Sequence, residues 1–539
     1  MTRLATAAAL ALLFLPSCSG QSTPRAGGTG GSGSGGNNAD APAIDRPSDT
    51  TGGSGGAPDV GRDVVVEVAA DAPTASDAAL CPSESDNGAT SPSGPACAAT
   101  PMTVNAASLC AGAATCPVGA VHALTCTGGG YGPWVVPTGP GGSVMFVTNT
   151  GRFVTRLFTM VPGATAEVND VPGLTSATNA LAADGDGNPT IFGGEMPGAW
   201  RVRKTPQGWG REHAVEVGSG LAMVTDGVAV DANQAFIAYY NLDDGAPRLA
   251  IRDGACWRST LLSGAHTAFM SLDLDSMNRP WTAWFTSVAN GGVAVDLAGP
   301  DGPHRVWTSP SAAAGGLMLR DRPVVLARGL TGVAAYPALA IQRPDAVHVL
   351  VPEGAPGAAP TWTDRVVPSS ALVAPVSDCP VQAAPFLNGC GGRTSCQSSI
   401  KGVIGGFGAA RTTAGRTYAA WLASDGASTY SLSPPITSGP LCAGIDQISD
   451  GGSHPMVPPT CMCAATVTAS HGTATIVLSR IDTAVPTEAL HVNFDTGGEL
   501  RAGTLALAAR GNTLLIVASV GRGTNTELRY LEVDTTSLP

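Results

Sequence analysis

Charge is scarce in this chain. Only 13% of its 539 residues are charged, and Lys204 and Lys401 are its only lysines. No basic run exists and the formal net charge is −12, so nucleic acid is excluded as an expected partner. Long amphipathic helices need a charged outer face, and so little charge argues against a helical fold. The eight histidines are scattered, with no His-Glu-x-x-His and no Cys-x2-Cys pair, so no zinc site is expected. The apolar run "LATAAALALLFL" (4–15) is too short to span a bilayer as a helix. What the chain has instead is 70 glycines and 42 prolines, the composition of short strands joined by tight turns.

The N-terminus reads as a targeting signal, with Arg3 as the positive residue before that apolar run. It ends in "LPSC" (15–18), which resembles the bacterial lipobox. The resemblance implies a signal peptide over 1–17, cleavage before Cys18 and acylation of its thiol. Several acyl chains on one residue hold a protein on a membrane, where one would not. Ser19 rather than Asp after the cysteine implies the outer membrane, with the body either periplasmic or surface-exposed.

Thirteen cysteines minus Cys18 leave twelve: Cys81, Cys97, Cys110, Cys116, Cys126, Cys256, Cys379, Cys390, Cys396, Cys442, Cys461 and Cys463. An even set in an exported chain reads as disulfides. Spacing leaves the pairing open. Nearest neighbours suggest Cys81–Cys97 and bridges within 110–126, 379–396 and 442–463.

Residues 18–80 carry the lipidated cysteine and a Gly/Ser/Asp-rich stretch that cannot bury a core and is read as a disordered tether. Residues 81–133 read as a cysteine-rich neck. From 134 to 539 a repeat appears. "NALAADGDGNPTIFGG" (179–194), "DGVAVDANQAFIAYYN" (226–241) and "MSLDLDSMNRPWTAWFT" (270–286) align on Asp184, Asp231 and Asp275. Each alternates apolar residues, turns on Asp/Asn/Gly/Pro, then runs apolar again. Weaker copies place anchors near 138, 342, 412, 470 and 508. Periods of this size with several strands per unit predict an all-β fold, a β-propeller of seven or eight four-stranded blades. Eight anchors favour eight, with a strand near 134 closing the ring.

"DGNPTIFGG…AWRVRKTPQGWGREHAVEV" and "DGAPRLAIRDGACWRSTLL" resemble a bacterial family of extracytoplasmic β-propeller repeats of the apolar-x-apolar-Asp-x-x-Gly-x-Pro type. The resemblance implies a fold and no substrate, because propellers host many functions.

The window "DGDGNPTIFGGE" (184–195) puts Asp184, Asp186, Asn188 and Glu195 at EF-hand ligand positions. Its sixth position is Pro189, where such a loop needs glycine, and the sister copies lack the terminal glutamate. The reading is a hairpin turn, with a private calcium site on those four residues as the alternative. Ser398 and Lys401 match Ser-x-x-Lys without helical context, Tyr239 and Tyr240 read as strand residues, and Cys461–Cys463 between His454 and His471 reads as disulfide chemistry. No cofactor and no catalytic residue are expected.

Two insertions, near 366–406 and 436–463, carry six of the cysteines. Stapled loops on a rigid scaffold suit binding, and they are expected to form one ligand-facing rim. The function expected is a non-enzymatic binding or interaction module of the cell envelope, for a protein or glycan ligand that the sequence does not specify. The alternatives are a propeller hydrolase or lyase acting on envelope or extracellular polysaccharide, and a structural subunit of an envelope assembly.

Overall fold

The computed structural model describes most of residues 179–309 and the strand-bearing segments of 81–174 and 323–539. Residues 1–80, with Cys18 and the tether, lie outside the described residues, as do 378–394 and 434–463.

The repeat anchors work as turn formers. Asp184 accepts the backbone N–H groups of Asp186 (3.0 Å) and Asn188 (2.8 Å). Asp231 does the same for Asn233 and Gln234, and Asp275 for Met277 and Arg279. A short carboxylate that satisfies two amides of its own loop is an Asx turn, and it needs no metal to form. Each such turn joins the first strand of a sheet to its second.

Four antiparallel strands follow in order in each of five blades: blade 1 (131–170), blade 2 (179–216), blade 3 (222–261), blade 4 (267–308) and blade 5 (324–367). Blade 6 (376–495) has five strands. A further sheet is composite. It joins Leu505–Arg510, Thr513–Val520 and Glu527–Asp534 to Val121–Leu124 and Ala99–Met102 from the other end of the chain. One strand of each sheet neighbours the next all the way round, the first strand in blades 1 to 5 and Ser395–Arg411 in blade 6, with Leu505–Arg510 against Tyr131–Thr138 closing the circle. The protein is an all-β propeller.

Six blades of consecutive strands, with the composite sheet between the last and the first, correct the expected seven or eight. The anchors at 412 and 470 belong to one sheet, because Ala464–Arg480 runs straight through Ser470, His471 and Gly472 against Thr417–Ser433. The anchor near 342 marks the turn between the second and third strands of blade 5, not the first. Ring closure also falls elsewhere: residue 134 lies within the first strand of blade 1, Tyr131–Thr138, and the strands Ala99–Met102 and Val121–Leu124 of the neck close the composite sheet.

The core lies between sheets. Phe192 and Trp257 pack blade 2 on blade 3, Phe236 and Trp284 blade 3 on blade 4, Phe285 and Leu350 blade 4 on blade 5, and Trp421 and Val349 blade 5 on blade 6. Tyr418 and Ile516 join blade 6 to the composite sheet, which Phe158 and Tyr530 join to blade 1. The fit is close. A Cβ on Gly227 would meet the Phe192 ring at 2.3 Å, so only glycine lets blade 3 approach blade 2 there.

Two disulfides are described. Cys110–Cys116 lies within the predicted 110–126 cluster. Cys81 pairs with Cys256, 175 residues away, and not with Cys97. Sequence proximity misled because Ser85–Asp86 adds to the edge of blade 2, against Gly210 and Arg211. This carries Cys81 to the neighbouring outer strand of blade 3.

Candidate functional site

The four residues of the calcium alternative do not converge. Asp184 spends its oxygens on its own loop, including the side-chain amide of Asn188. Glu195 closes the strand Pro189–Glu195, roughly 20 Å along the chain from the turn, and pairs with Arg211 at 2.6 Å. Ser398 and Lys401 lie on a strand, opposite Ser428 and Asp425. Tyr239 is buried and shares a hydrogen bond of 2.6 Å with Ser259. Burial pushes the Tyr240 phenol up to about 12. Both tyrosines are strand residues.

Cys97, Cys126, Cys379, Cys390, Cys442, Cys461 and Cys463 lie outside the described residues, as does His454. Their surroundings are partly described. Ser395–Arg411, Thr417–Ser433 and Ala464–Arg480 are about twice the length of the other strands. Among the described residues the outer strand Thr487–Asp495 pairs only with Thr473–Arg480, so an arm of six to nine residues per strand, roughly 20–30 Å, continues past it. Residues 395–406, expected as part of an inserted loop, are strand. Ser395 pairs with Ser431 and Ser433 with Ala464. Both cysteine-bearing insertions are therefore rooted side by side at the end of one arm.

Buried polar groups bind sheet to sheet. Asp226 accepts the Leu272 amide at 2.9 Å, and Asp273 accepts those of Ala327 and Arg328. These carboxylates cross from blade 3 to 4 and from blade 4 to 5. Burial pushes the Asp273 carboxyl up against the opposing pull of Arg328 and the three amides it accepts. Between blades 2 and 3, Glu212 accepts from Trp257 Nε1 (2.7 Å), Arg252 Nε (2.8 Å) and Arg201 (3.5 Å). Both guanidiniums also donate to the Ala232 carbonyl. Sequence reasoning passed over these residues. The available signal was an acid or arginine set inside an apolar strand, as in "MSLDLD" and "RLAIRD".

A different grouping lies at the outer rim between blades 4 and 5. Trp307 and His304 come from the last strand of blade 4, Gly302–Thr308, with Asp301 in the turn before it. Trp362 and Asp364 come from the last strand of blade 5, Thr361–Val367, and Tyr336 from the approach to its second. Trp307, Tyr336 and Trp362 are half-buried, packed against the core shared by the two blades. The Tyr336 ring stands edge-on to Trp281 (5.4 Å, 62°), His304 (6.0 Å, 75°) and Trp362 (6.4 Å, 83°). Its hydroxyl donates to Asp301, and that bond, with burial and the Asp301 charge, pushes the phenol up to about 12. Asp364 accepts Trp307 Nε1 at 3.0 Å and meets His348 Nδ1 at 2.9 Å. Burial raises the Asp364 carboxyl, but the hydrogen bond and charge of His348 and the Trp307 N–H outweigh it and hold it below the usual carboxylate range. Aromatic faces thus sit beside carboxylates whose orientation is fixed by phenol, indole and imidazole.

No protein-family model matches the chain. No curated protein sequence matches it either. Among solved structures it is similar to virginiamycin B lyase from Staphylococcus aureus, with 11% identity, a TM-score of 0.37, and 77% of this chain and 99% of that one covered. It is similar to AofleA from Arthrobotrys oligospora at 10% identity and a TM-score of 0.33, covering 46% of this chain and 79% of that one. Trypanosoma rangeli sialidase follows at 10% identity and 0.30, covering 76% of this chain and 56% of that one. Likenesses this distant say nothing of chemistry.

Proposed function

We propose that the protein is a lipid-anchored outer-membrane lipoprotein whose propeller is a non-enzymatic binding module. The anchor reading is supported by the "LPSC" signal at 15–18 and by the even cysteine set that remains when Cys18 is removed. The binding reading is supported by the rim cluster of aromatic and acidic side chains between blades 4 and 5. Its carboxylates are engaged as hydrogen-bond acceptors, and Asp364 is held below the usual carboxylate range. A general acid needs its carboxyl held up, not down, so Asp364 is suited to holding a ligand rather than protonating a leaving group.

Two measurements test this. Cys18→Ser should move the full chain from the membrane pellet to the soluble fraction, and retention in the pellet would refute the lipid anchor. That soluble full-length protein, oxidised, should bind on a glycan array or cross-link a partner in the envelope without releasing product. Turnover of a polysaccharide, lost on mutating Asp364, would establish the hydrolase or lyase reading instead.

A further inference from the structure

We infer that the aromatic and acidic cluster between the outer strands of blades 4 and 5 is a saccharide-binding site for neutral or N-acetylated pyranose chains. The inference rests on the binding-module reading above and gives it a ligand class and a location.

A pyranose ring offers an apolar face of C–H bonds and a rim of hydroxyls. Holding one takes an aromatic face with hydrogen-bond acceptors beside it. Trp362 and Asp364 are two residues apart on one strand, so their side chains leave the same face, roughly 7 Å apart. That is about the length of one sugar ring. Trp307 and Tyr336 stand by them and pack on the same core, which joins the facing sheets of blades 4 and 5. Trp281, 3% exposed, lies beneath Tyr336 as part of that core.

The acceptors are set in advance. Asp364 is oriented by Trp307 and His348, and Asp301 by Tyr336 and, at 3.3 Å, by His304. Side chains locked by such neighbours lose little freedom when a ligand arrives. Both carboxylates still face solvent, at 34% for Asp364 and 48% for Asp301. Each ionised carboxylate has about four lone-pair positions, so each retains capacity for hydroxyl donors beyond the partners it already has. Those partners are a phenol, an indole and two imidazoles. Two carboxylates at one rim favour hydroxyl and amide donors over uronate or sulfated chains.

The test is a tryptophan-fluorescence titration of the oxidised full chain carrying Cys18→Ser. The probes are cellohexaose, xylohexaose, mannohexaose, chitohexaose and a hexamer of polygalacturonate. At least one neutral or N-acetylated hexaose should give a saturable shift, and the polygalacturonate none. Trp362→Ala and Asp364→Asn should each weaken that binding roughly tenfold or more. Because Trp362→Ala removes packing as well, Tyr336→Phe serves as the gentler variant. It deletes only the hydroxyl that orients Asp301, and it should weaken binding while the unfolding temperature holds. The inference is overturned if no hexaose shifts the fluorescence, or if one binds all three variants as it binds the parent. In that second case, or if cross-linking finds a protein partner and no sugar binds, the binding-module reading stands and only the site falls. Release of shortened oligosaccharides would overturn the module reading itself.

Discussion

Glu212 is the residue whose loss should cost the fold most for the smallest change in shape. Its side chain is 3% exposed, against 2% for Arg201 and 9% for Arg252. One carboxylate thus serves two buried guanidiniums and the Trp257 indole. Glu212→Gln keeps the volume and one acceptor oxygen but leaves two buried positive charges facing an amide. Removing one partner of a buried ion pair costs about 3–5 kcal/mol. An unfolding entropy near 2.1 cal/mol/K per residue over roughly 400 folded residues turns that into a drop of about 4–6 °C in Tm. Urea unfolding of parent and variant at pH 7 gives the free energy, and calorimetry the temperature. A second variant isolates the cause. Adding Arg252→Met to Glu212→Gln takes away one of the uncompensated cations, and about 1–3 kcal/mol should return. The guanidiniums also hold the Asp231 turn through the Asp231 and Ala232 carbonyls, so the damage should show first as faster amide exchange at 231–234. A loss under 1 kcal/mol in the single variant, or no recovery in the double, would refute the reasoning.

Three further outcomes are expected. Peptide mapping without reduction should recover Cys81 bonded to Cys256, and a Cys81–Cys97 peptide would contradict the edge pairing of Ser85–Asp86 with blade 2; closing a loop of 175 residues restricts the unfolded chain by up to about 5 kcal/mol, so Cys256→Ser should lower Tm measurably. Burial alone would raise the Asp275 carboxyl, but the Arg279 amide and guanidinium and the Met277 amide outweigh it and hold it below its ordinary 3.8. A depressed folded value means stabilisation that is complete above the ordinary value and lost as pH falls through the folded one, so the stability gap between parent and Asp275→Asn should be full at pH 7 and close on acidification below about pH 4; a gap independent of pH would contradict this. Calcium or EDTA should leave Tm unchanged, since Asp184 is committed to its own loop and Glu195 to Arg211; a rise with calcium would revive the ligand reading.

The sequence made the blades legible where Asp, Asn and Gly fall in a turn and apolar residues alternate on either side, as at Asp184, Asp231 and Asp275. It failed where the same residue types serve another purpose. "TASHGTAT" (468–475) has turn composition, yet it stays extended because the arm of blade 6 offers Gly426 and Ala427 as partners for Gly472 and His471. No local pattern records a partner some 45 residues away. The copy at 337–351 contains a true turn, but which pair of strands a turn joins depends on the ring and not on the turn. Cys81 went astray for the same reason: its partner is set by an edge strand of only two residues, Ser85–Asp86. The rim cluster assembles residues from 301 to 364 across two blades, each unremarkable in its own strand. Only the stacking of one blade on the next brings Trp307 to Asp364.

The Cys81–Cys256 bond has a mechanical consequence. Tension applied to the chain before residue 81 passes through a covalent link directly into the outer strand of blade 3, Cys256–Leu261. The stretch that follows, including the two strands at Ala99–Met102 and Val121–Leu124 that complete the composite sheet, lies in a slack loop and carries none of the load. A pull from that end strains a bond between sulfurs before it can peel the strands that hold the circle shut. Under reducing conditions the same pull would act first on the two-residue edge strand Ser85–Asp86 and then on those strands, so the path that force takes through this propeller depends on its redox state.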